Sequence, residues 1–329
     1  MIAHSIQLLR QLRYPNGLFA AASQTVKTGY SRAWIRDNIY AALGLEATGN
    51  TAEVIATYRA LLDILAKHEY KIDWMIKEPQ PKAAFRYIHA RYDPVSGDEI
   101  SEEWGNKQND AVGALLFKIG ELTAKNVFTL NDADKRIVQK LVDYLAAIEY
   151  WHDADNGMWE EAEEVHASSI GACVAGLQAV STIANVPDAL IAKGRDALNA
   201  LLPRESLTKD ADLALLSLIY PYNIVSETQR DAILKNVEEK LLREKGVIRY
   251  VGDKYYSNGQ PAEWTMGLAW LAIIYKQLNP AKHAFFVEKA ETAMNAKGEL
   301  PELYYGNTSQ HNENTPLGWA QSLFVVATA

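Results

Sequence analysis

Residues 34–67 read WIRDNIYAALGLEATGNTAEVIATYRALLDILAK. On both sides of Gly49-Asn50, apolar side chains recur at the spacing of a helix with one buried face. Gly49-Asn50 is a short break of the kind that ends one helix and starts the next. The stretch is therefore a helical hairpin with a tight turn. The same punctuation returns at Asn185-Val186-Pro187 and at Asn279-Pro280. Working outward, helical periodicity predicts helices over 2–13, 34–48, 51–68, 105–124, 132–150, 166–184, 188–201, 209–219, 227–242, 262–277, 281–296 and 315–328. Residues 70–76 read as an extension of the third, and no segment alternates as a strand does.

The longer connections cover 14–33, 79–104, 151–165, 202–208, 243–261 and 297–314. Short and long joints alternate, so the chain runs up and down and every long loop opens at the same end. Six such hairpins close into an all-α (α/α)6 barrel of about twelve helices; an open solenoid and two separate bundles are the alternatives. A solenoid would repeat itself at a fixed period, and no repeat is found. No Pro/Gly/Ser-rich linker divides the chain, so residues 1–329 read as a single domain.

The 329 residues are 48% apolar, with a net charge of −8. An acidic balance argues against a nucleic-acid partner, which needs a basic footprint, and suits a neutral substrate. The single cysteine, Cys173, lies in an apolar helical stretch and reads as core. There is no signal-peptide pattern at Met1 and no apolar run near the ~18 residues of a membrane span, so a cytoplasmic, non-membrane protein is the expectation. His152, His166 and His311 lack metal-ligand spacing and read as neutral surface or hydrogen-bonding residues. Phosphate-loop, dinucleotide, zinc-protease and serine-hydrolase motifs are absent, and no cofactor or metal is expected. Oligomeric state, monomer or dimer, is left open.

The long loops carry charged residues beside Trp or Tyr. Trp34-Ile35-Arg36-Asp37 follows the first, Trp104 to Asp110 ends the second, and Trp159-Glu160-Glu161 lies in the third. Arg249-Tyr250 and Tyr255-Tyr256 lie in the fifth, with Trp264 after it, and Glu302, Tyr304 and Tyr305 lie in the sixth. A carboxylic acid and a carboxylate set among aromatic rings are what glycoside hydrolysis requires. The donor's pKa must be raised, which the aromatic setting of Trp159 can do by desolvation. The partner attacks the sugar when the two carboxyls lie ~5 Å apart and activates water at ~6.5–9.5 Å. Arg36 and Asp37 suit sugar hydroxyls, and Trp104 and Trp264 suit a pyranose face.

Each feature also has a plain structural reading. Arg36-Asp37 reads as a local ion pair and cap, 160–164 as a solvated acidic helix entry, and the Trp and Tyr residues as core. Their joint placement at one end favours a site, since unrelated surface features would divide between both ends.

The residues also resemble a known family. Trp34-Ile35-Arg36-Asp37-Asn38-Ile39-Tyr40, Trp104-Gly105-Asn106-Lys107-Gln108-Asn109-Asp110-Ala111, Gly157-Met158-Trp159-Glu160, Leu300-Pro301-Glu302-Leu303-Tyr304-Tyr305 and Leu317-Gly318-Trp319-Ala320-Gln321 occur in family order. The chain resembles the catalytic domain of glucoamylases, glycoside hydrolase family 15, and more closely the glucoamylase-like domain of phosphorylase kinase alpha and beta subunits. The resemblance implies an inverting exo-acting α-glucosidase with Glu160 as general acid and Glu302 as general base. It implies Tyr30 beside the attacking water, Arg36 and Asp37 on the terminal glucose, and Trp104, Glu161 and Arg249 as further contacts. Trp34, Lys107, Trp159, Trp264 and Tyr304, in or beside the same motifs, complete the candidate substrate-binding set. Gly157 stands where fungal members carry an aspartate. With no starch-binding segment in the sequence, short soluble oligosaccharides are the expected partner. A non-hydrolytic carbohydrate-binding or regulatory domain is the alternative, and a peptide-binding helical scaffold a third.

Overall fold

The structure is a computed structural model that describes residues 1–79, 83–102 and 104–329. Residues 80–82 and 103, part of the loop expected over 79–104, lie outside that description. Among the described residues there are twelve α-helices. They are α1 Ile2–Leu12, α2 Ile35–Ala47, α3 Thr51–Lys67, α4 Glu69–Lys77, α5 Asn109–Ala124, α6 Asp132–Ala147, α7 Ala167–Ala179, α8 Asp188–Leu201, α9 Glu227–Asn236, α10 Met266–Leu278, α11 Pro280–Thr292 and α12 Gly318–Thr328.

Six elements form an inner ring: α2, α5, α7, the 3₁₀ helix Leu213–Leu218, α10 and α12. Each packs against the next, and α12 returns to α2. Outside them, α1 lies on α12, α3 on α2, α6 on α3 to α5, α8 on α7, α9 on the 3₁₀ helix and α11 on α10. This is the (α/α)6 arrangement. The sequence explains which helix goes where. Inner α7, ASSIGACVAGLQA, is small or apolar all round and buried along Ala167 to Leu177, as a doubly covered helix must be. Outer α6 buries Ile137, Val138, Leu141, Val142 and Leu145 on one side and exposes Lys135 and Arg136 on the other. The tight turns work as caps: the Asn279 side chain accepts from the Ala281 and Lys282 N–H groups, with Pro280 opening α11.

Several boundaries differ from the sequence expectation. The third helix is followed by a separate α4 rather than an extension. Residues expected as an α-helix over 209–219 form the 3₁₀ helix, capped by Asp212, whose Oδ1 accepts from the Ala214 N–H at 2.8 Å. The helix expected over 227–242 turns into a π-turn at Val237–Leu241. The helices expected from 105, 262 and 315 begin at Asn109, Met266 and Gly318.

Four two-residue strands also appear among the described residues, too short for periodicity to register: β1 Ala33–Trp34, β2 Arg91–Tyr92, β3 Glu263–Trp264 and β4 Leu303–Tyr304. β1 pairs with β2 and β3 with β4, both antiparallel. These pairs join the first long loop to the second and the fifth to the sixth, and a bridge between Asp212 and Tyr250 ties in another. The long loops are thereby bound to one another at one end of the ring. Among the described residues no helix is long and apolar enough to cross a membrane.

Candidate active site

Every inner element begins where a long loop ends, so six N-termini face the same side. There the loops enclose a cavity of about 310 Å³, within the range of small-ligand sites. Tyr30, Trp34, Arg36, Asp37, Trp104, Trp159, Glu160, Glu161, Arg249, Trp264 and Glu302 all line it.

Glu160 enters from the third long loop. Its backbone has φ +61°, unusual for a residue with a side chain, and Gly157 takes +62° in the same turn. Its Oε1 accepts from Gln108 Nε2 at 2.8 Å and pairs with Arg36 Nη2 at 3.3 Å, while Oε2 accepts from the Trp104 indole N–H. The carboxylate thus meets polar donors rather than the face of Trp159, and it keeps 13% side-chain exposure toward the cavity. Arg36 turns to Asp110 at 3.0 Å and to Glu160, not to its neighbour Asp37. Burial works against the Arg36 charge, but Asp110 and Glu160 outweigh it and raise its pKa.

Glu302 enters from the sixth loop and is fully buried at the cavity wall. Oε1 accepts from the Tyr30 hydroxyl at 2.6 Å, and Oε2 accepts from the amides of Asn312 and Asn314. Tyr30 in turn contacts the Tyr255 hydroxyl at 3.0 Å. Burial raises the Glu302 pKa against the opposing pull of Tyr30, Asn314 and Asn312.

Between them, Asp37 opens on the cavity, its pKa pushed up to about 7 by burial despite nearby Arg36. Glu161 accepts from Arg249 at 2.8 Å and from the Tyr250 hydroxyl at 2.8 Å, and pairs with Lys209 at 3.1 Å. Arg249 is also held by Asp253 and lies over the rings of Trp159, Tyr255 and Trp264. The Trp159 indole N–H donates to Asp212 at 2.8 Å; burial lifts the pKa of that carboxyl to about 7. The acidic run 160–164 is anchored rather than merely solvated, with Glu163 on Lys107 at 2.8 Å and Glu164 on Thr208.

Two candidates lie elsewhere. Lys107 points away from the cavity, pairing with Glu163 and lying 4.6 Å from the centre of the Tyr87 ring, because its backbone is clamped by Asn156. Tyr304, inside β4, turns its hydroxyl to the Ala293 carbonyl at 2.9 Å and packs on His311. Conversely, Tyr255, Met158, Leu317 and Trp319 line the cavity and were not among the candidates. Tyr255 and Trp319 stand within the motifs already quoted, but no local signal gives their direction. Of the surface and hydrogen-bonding readings, His166 takes the second: it is buried, with Nδ1 3.4 Å from Glu205 Oε1. Burial opposes its charge, yet Glu205 and Asp155 hold its pKa up to about 9.

With the geometry in place, comparison with known proteins is informative. Residues 1–328 match the pattern of the glycosyl hydrolases family 15, and the chain belongs to that family. A probable phosphorylase b kinase regulatory subunit alpha of Caenorhabditis elegans is 25% identical over 89% of this chain and 30% of its own length. The liver isoform of that subunit in Mus musculus is 27% identical over 68% and 21%. The chain thus spans about a fifth to a third of the length of these curated relatives. Among solved structures, a wild-type glycosidase superposes with TM-score 0.81 at 21% identity, covering 99% of this chain and 96% of that one. A bacterial glucoamylase complexed with acarbose gives 0.72 at 16% identity, over 98% and 54%. These likenesses carry the fold, and glucoamylase neighbours share the (α/α)6 barrel.

Proposed function

We propose that this chain is an inverting, exo-acting α-glucosidase that removes terminal glucose from short soluble α-gluco-oligosaccharides. The observation that carries the reading is two carboxyls reaching one aromatic-walled cavity from separate loops, each held by a different set of donors. Glu160 is the proton donor. Its Oε1 is held by Arg36 and Gln108, so Oε2, whose one partner among the described residues is the Trp104 indole N–H, is the oxygen that hands a proton to the glycosidic oxygen as the bond to the anomeric carbon breaks. Glu302 is the base: it takes a proton from water as the water oxygen bonds to the anomeric carbon from the opposite face. Burial that raises the Glu302 pKa makes it a stronger base near neutral pH. Tyr30 fixes one Glu302 oxygen, and Arg36 and Asp37, which line the same cavity, bind the terminal sugar's hydroxyls. The cycle ends when solvent returns the proton from Glu302 to Glu160.

The test is to incubate the protein with maltose, isomaltose and maltotriose and follow the product by NMR. β-Glucose as first product is expected; α-glucose, or no glucose from any of the three, removes the proposal.

A second reading has one specific support, the regulatory-subunit names of the curated relatives. On it, the same cavity binds carbohydrate without turnover. Calorimetry that finds sugar binding unchanged in Glu160→Gln, with no hydrolysis by the unsubstituted protein, would favour it.

A further inference from the structure

Glu160 rides on a closed piece of the third long loop. Asp155 and Glu164 exchange backbone hydrogen bonds at 2.9 and 3.0 Å, which shuts residues 156–163 into one loop. Within it the Glu160 N–H donates to the Gly157 carbonyl at 3.3 Å, and both residues hold positive φ. The two move as a unit, so whatever holds Gly157 also aims the Glu160 carboxyl.

Gly157 rests on His166. A Cβ at Gly157 would lie 2.7 Å from both Cδ2 and Nε2 of that ring. His166 is buried at the entry to α7 and lines no part of the cavity. Its Nε2 has no hydrogen-bond partner among the described residues, so its contact with the turn is packing. The other ring nitrogen, Nδ1, is tied to Glu205. Glu205 is itself fixed at the start of α7. Its carboxylate accepts from the Ser168 N–H at 3.2 Å and from the Ser168 hydroxyl, and its carbonyl accepts from the Ala167 N–H at 2.7 Å. The neck of the loop is tied in the same way to α5, where the Asn109 N–H donates to Asp155 Oδ2 at 2.9 Å. The turn also meets Gly105, where a Cβ would lie 2.8 Å from the Glu160 carbonyl oxygen. Ring against Gly157 and backbone against Gly105 leave the turn little room to move.

We propose that His166 is a positioning residue for the proton donor: its ring, tied to Glu205 and packed on Gly157, aims the Glu160 carboxyl at the leaving oxygen. The role deepens the α-glucosidase reading and rests on it, since this aim matters only where Glu160 hands over a proton.

The experiment compares a substrate that needs the proton with one that does not. The glucose leaving from maltose must be protonated, whereas the phenolate leaving from 2,4-dinitrophenyl α-glucoside is stable without a proton. His166→Asn keeps a donor where Nδ1 stands and removes the ring atoms against Gly157. It should lower kcat on maltose by roughly 10–100-fold, with KM within about twofold and kcat on the dinitrophenyl glucoside within about threefold. His166→Gln, whose amide reaches the Nε2 position, should keep kcat on maltose within about threefold. Gly157→Ala, which forces ring and turn apart, should repeat the selective loss and decides the matter if His166→Asn does not fold. Maltose turnover in His166→Asn within about twofold of the unsubstituted protein, an equal loss on both substrates, or the same loss in His166→Gln overturns the proposal. A second readout needs no turnover. The Trp104 indole N–H donates to Glu160 Oε2, so its proton NMR resonance should move in His166→Asn and stay in place in His166→Gln. If the unsubstituted protein hydrolyses neither substrate, the α-glucosidase reading falls, and this resonance alone decides: a shift in His166→Asn supports His166 as the residue that aims Glu160, and no shift overturns it.

Discussion

Glu160 and Gly157 share one tight turn in the left-handed region, and that turn aims the Glu160 carboxyl at Arg36, Gln108 and Trp104. Glu160→Gln and Glu302→Gln should each lower turnover by about 10²–10⁴-fold with little change in sugar affinity, measured by initial rates and calorimetry. Gly157→Ala tests the turn itself. A Cβ there would lie 2.7 Å from the His166 ring, and the positive φ adds strain, so a loss of about 1–3 kcal/mol in urea denaturation is expected. At this scale the sequence was informative about which residues gather, since all the candidates except Lys107 and Tyr304 line the cavity. It was silent on partners. Arg36 beside Asp37 reads as an adjacent pair, but the first turn of α2 points Arg36 across to α5, where Asp110 waits. Side-chain direction of this kind is a tertiary property, and so is the burial that leaves Asp37 and Asp212 with elevated pKa values.

Helices α5 and α7 approach each other backbone to backbone. A Cβ at Gly113 would fall 2.3 Å from the Ala172 carbonyl carbon, and one at Gly176 would fall 2.4 Å from the Gly113 carbonyl oxygen. Backbone meets backbone, so neither side has a flexible atom to yield. Gly113→Ala should therefore destabilise by about 3 kcal/mol or more, despite the gain in helix propensity, as read from a shifted denaturation midpoint. Helix existence was legible because periodicity over ten or more residues is strong, and the turns at Gly49 and Asn279 are chemically explicit. The 3₁₀ form of Leu213–Leu218 and the π-turn after Asn236 were not, since the same apolar spacing serves all three helix types. Strands of two residues have no period to read.

For the whole molecule, buried titratable groups make stability depend on pH. Asp37, Asp155 and Asp212 have pKa values pushed up to about 7 by burial, and His166 is held at about 9. Unfolded, the acids release their protons near 4 and the imidazole near 6.5. Between those values and the folded ones, the native state holds more protons, so stability falls as pH rises. His89, with its pKa lowered by burial to about 4, opposes this only below 6.5. Thermal melts should therefore show declining Tm from pH 6.5 to 9. Asp212→Asn should flatten the part near 7, and His166→Gln the part above it. The placement of all long loops at one end was legible from alternating joint lengths alone, whereas the depth at which each loop residue would sit was not.

The inner ring returns to its start through α12, which packs on α1, α2 and α10. Its contacts are very distant in sequence: Ser322 donates to the Tyr40 carbonyl across 282 positions and Gln321 to Ser5 across 316. During synthesis, the gap between α2 and α10 stays unfilled until α12 emerges. Until then the ring is open, and the apolar sides of α2 and α10 that α12 covers are bare. Contacts this distant in sequence form late, and the surface they cover is open to aggregation until they do.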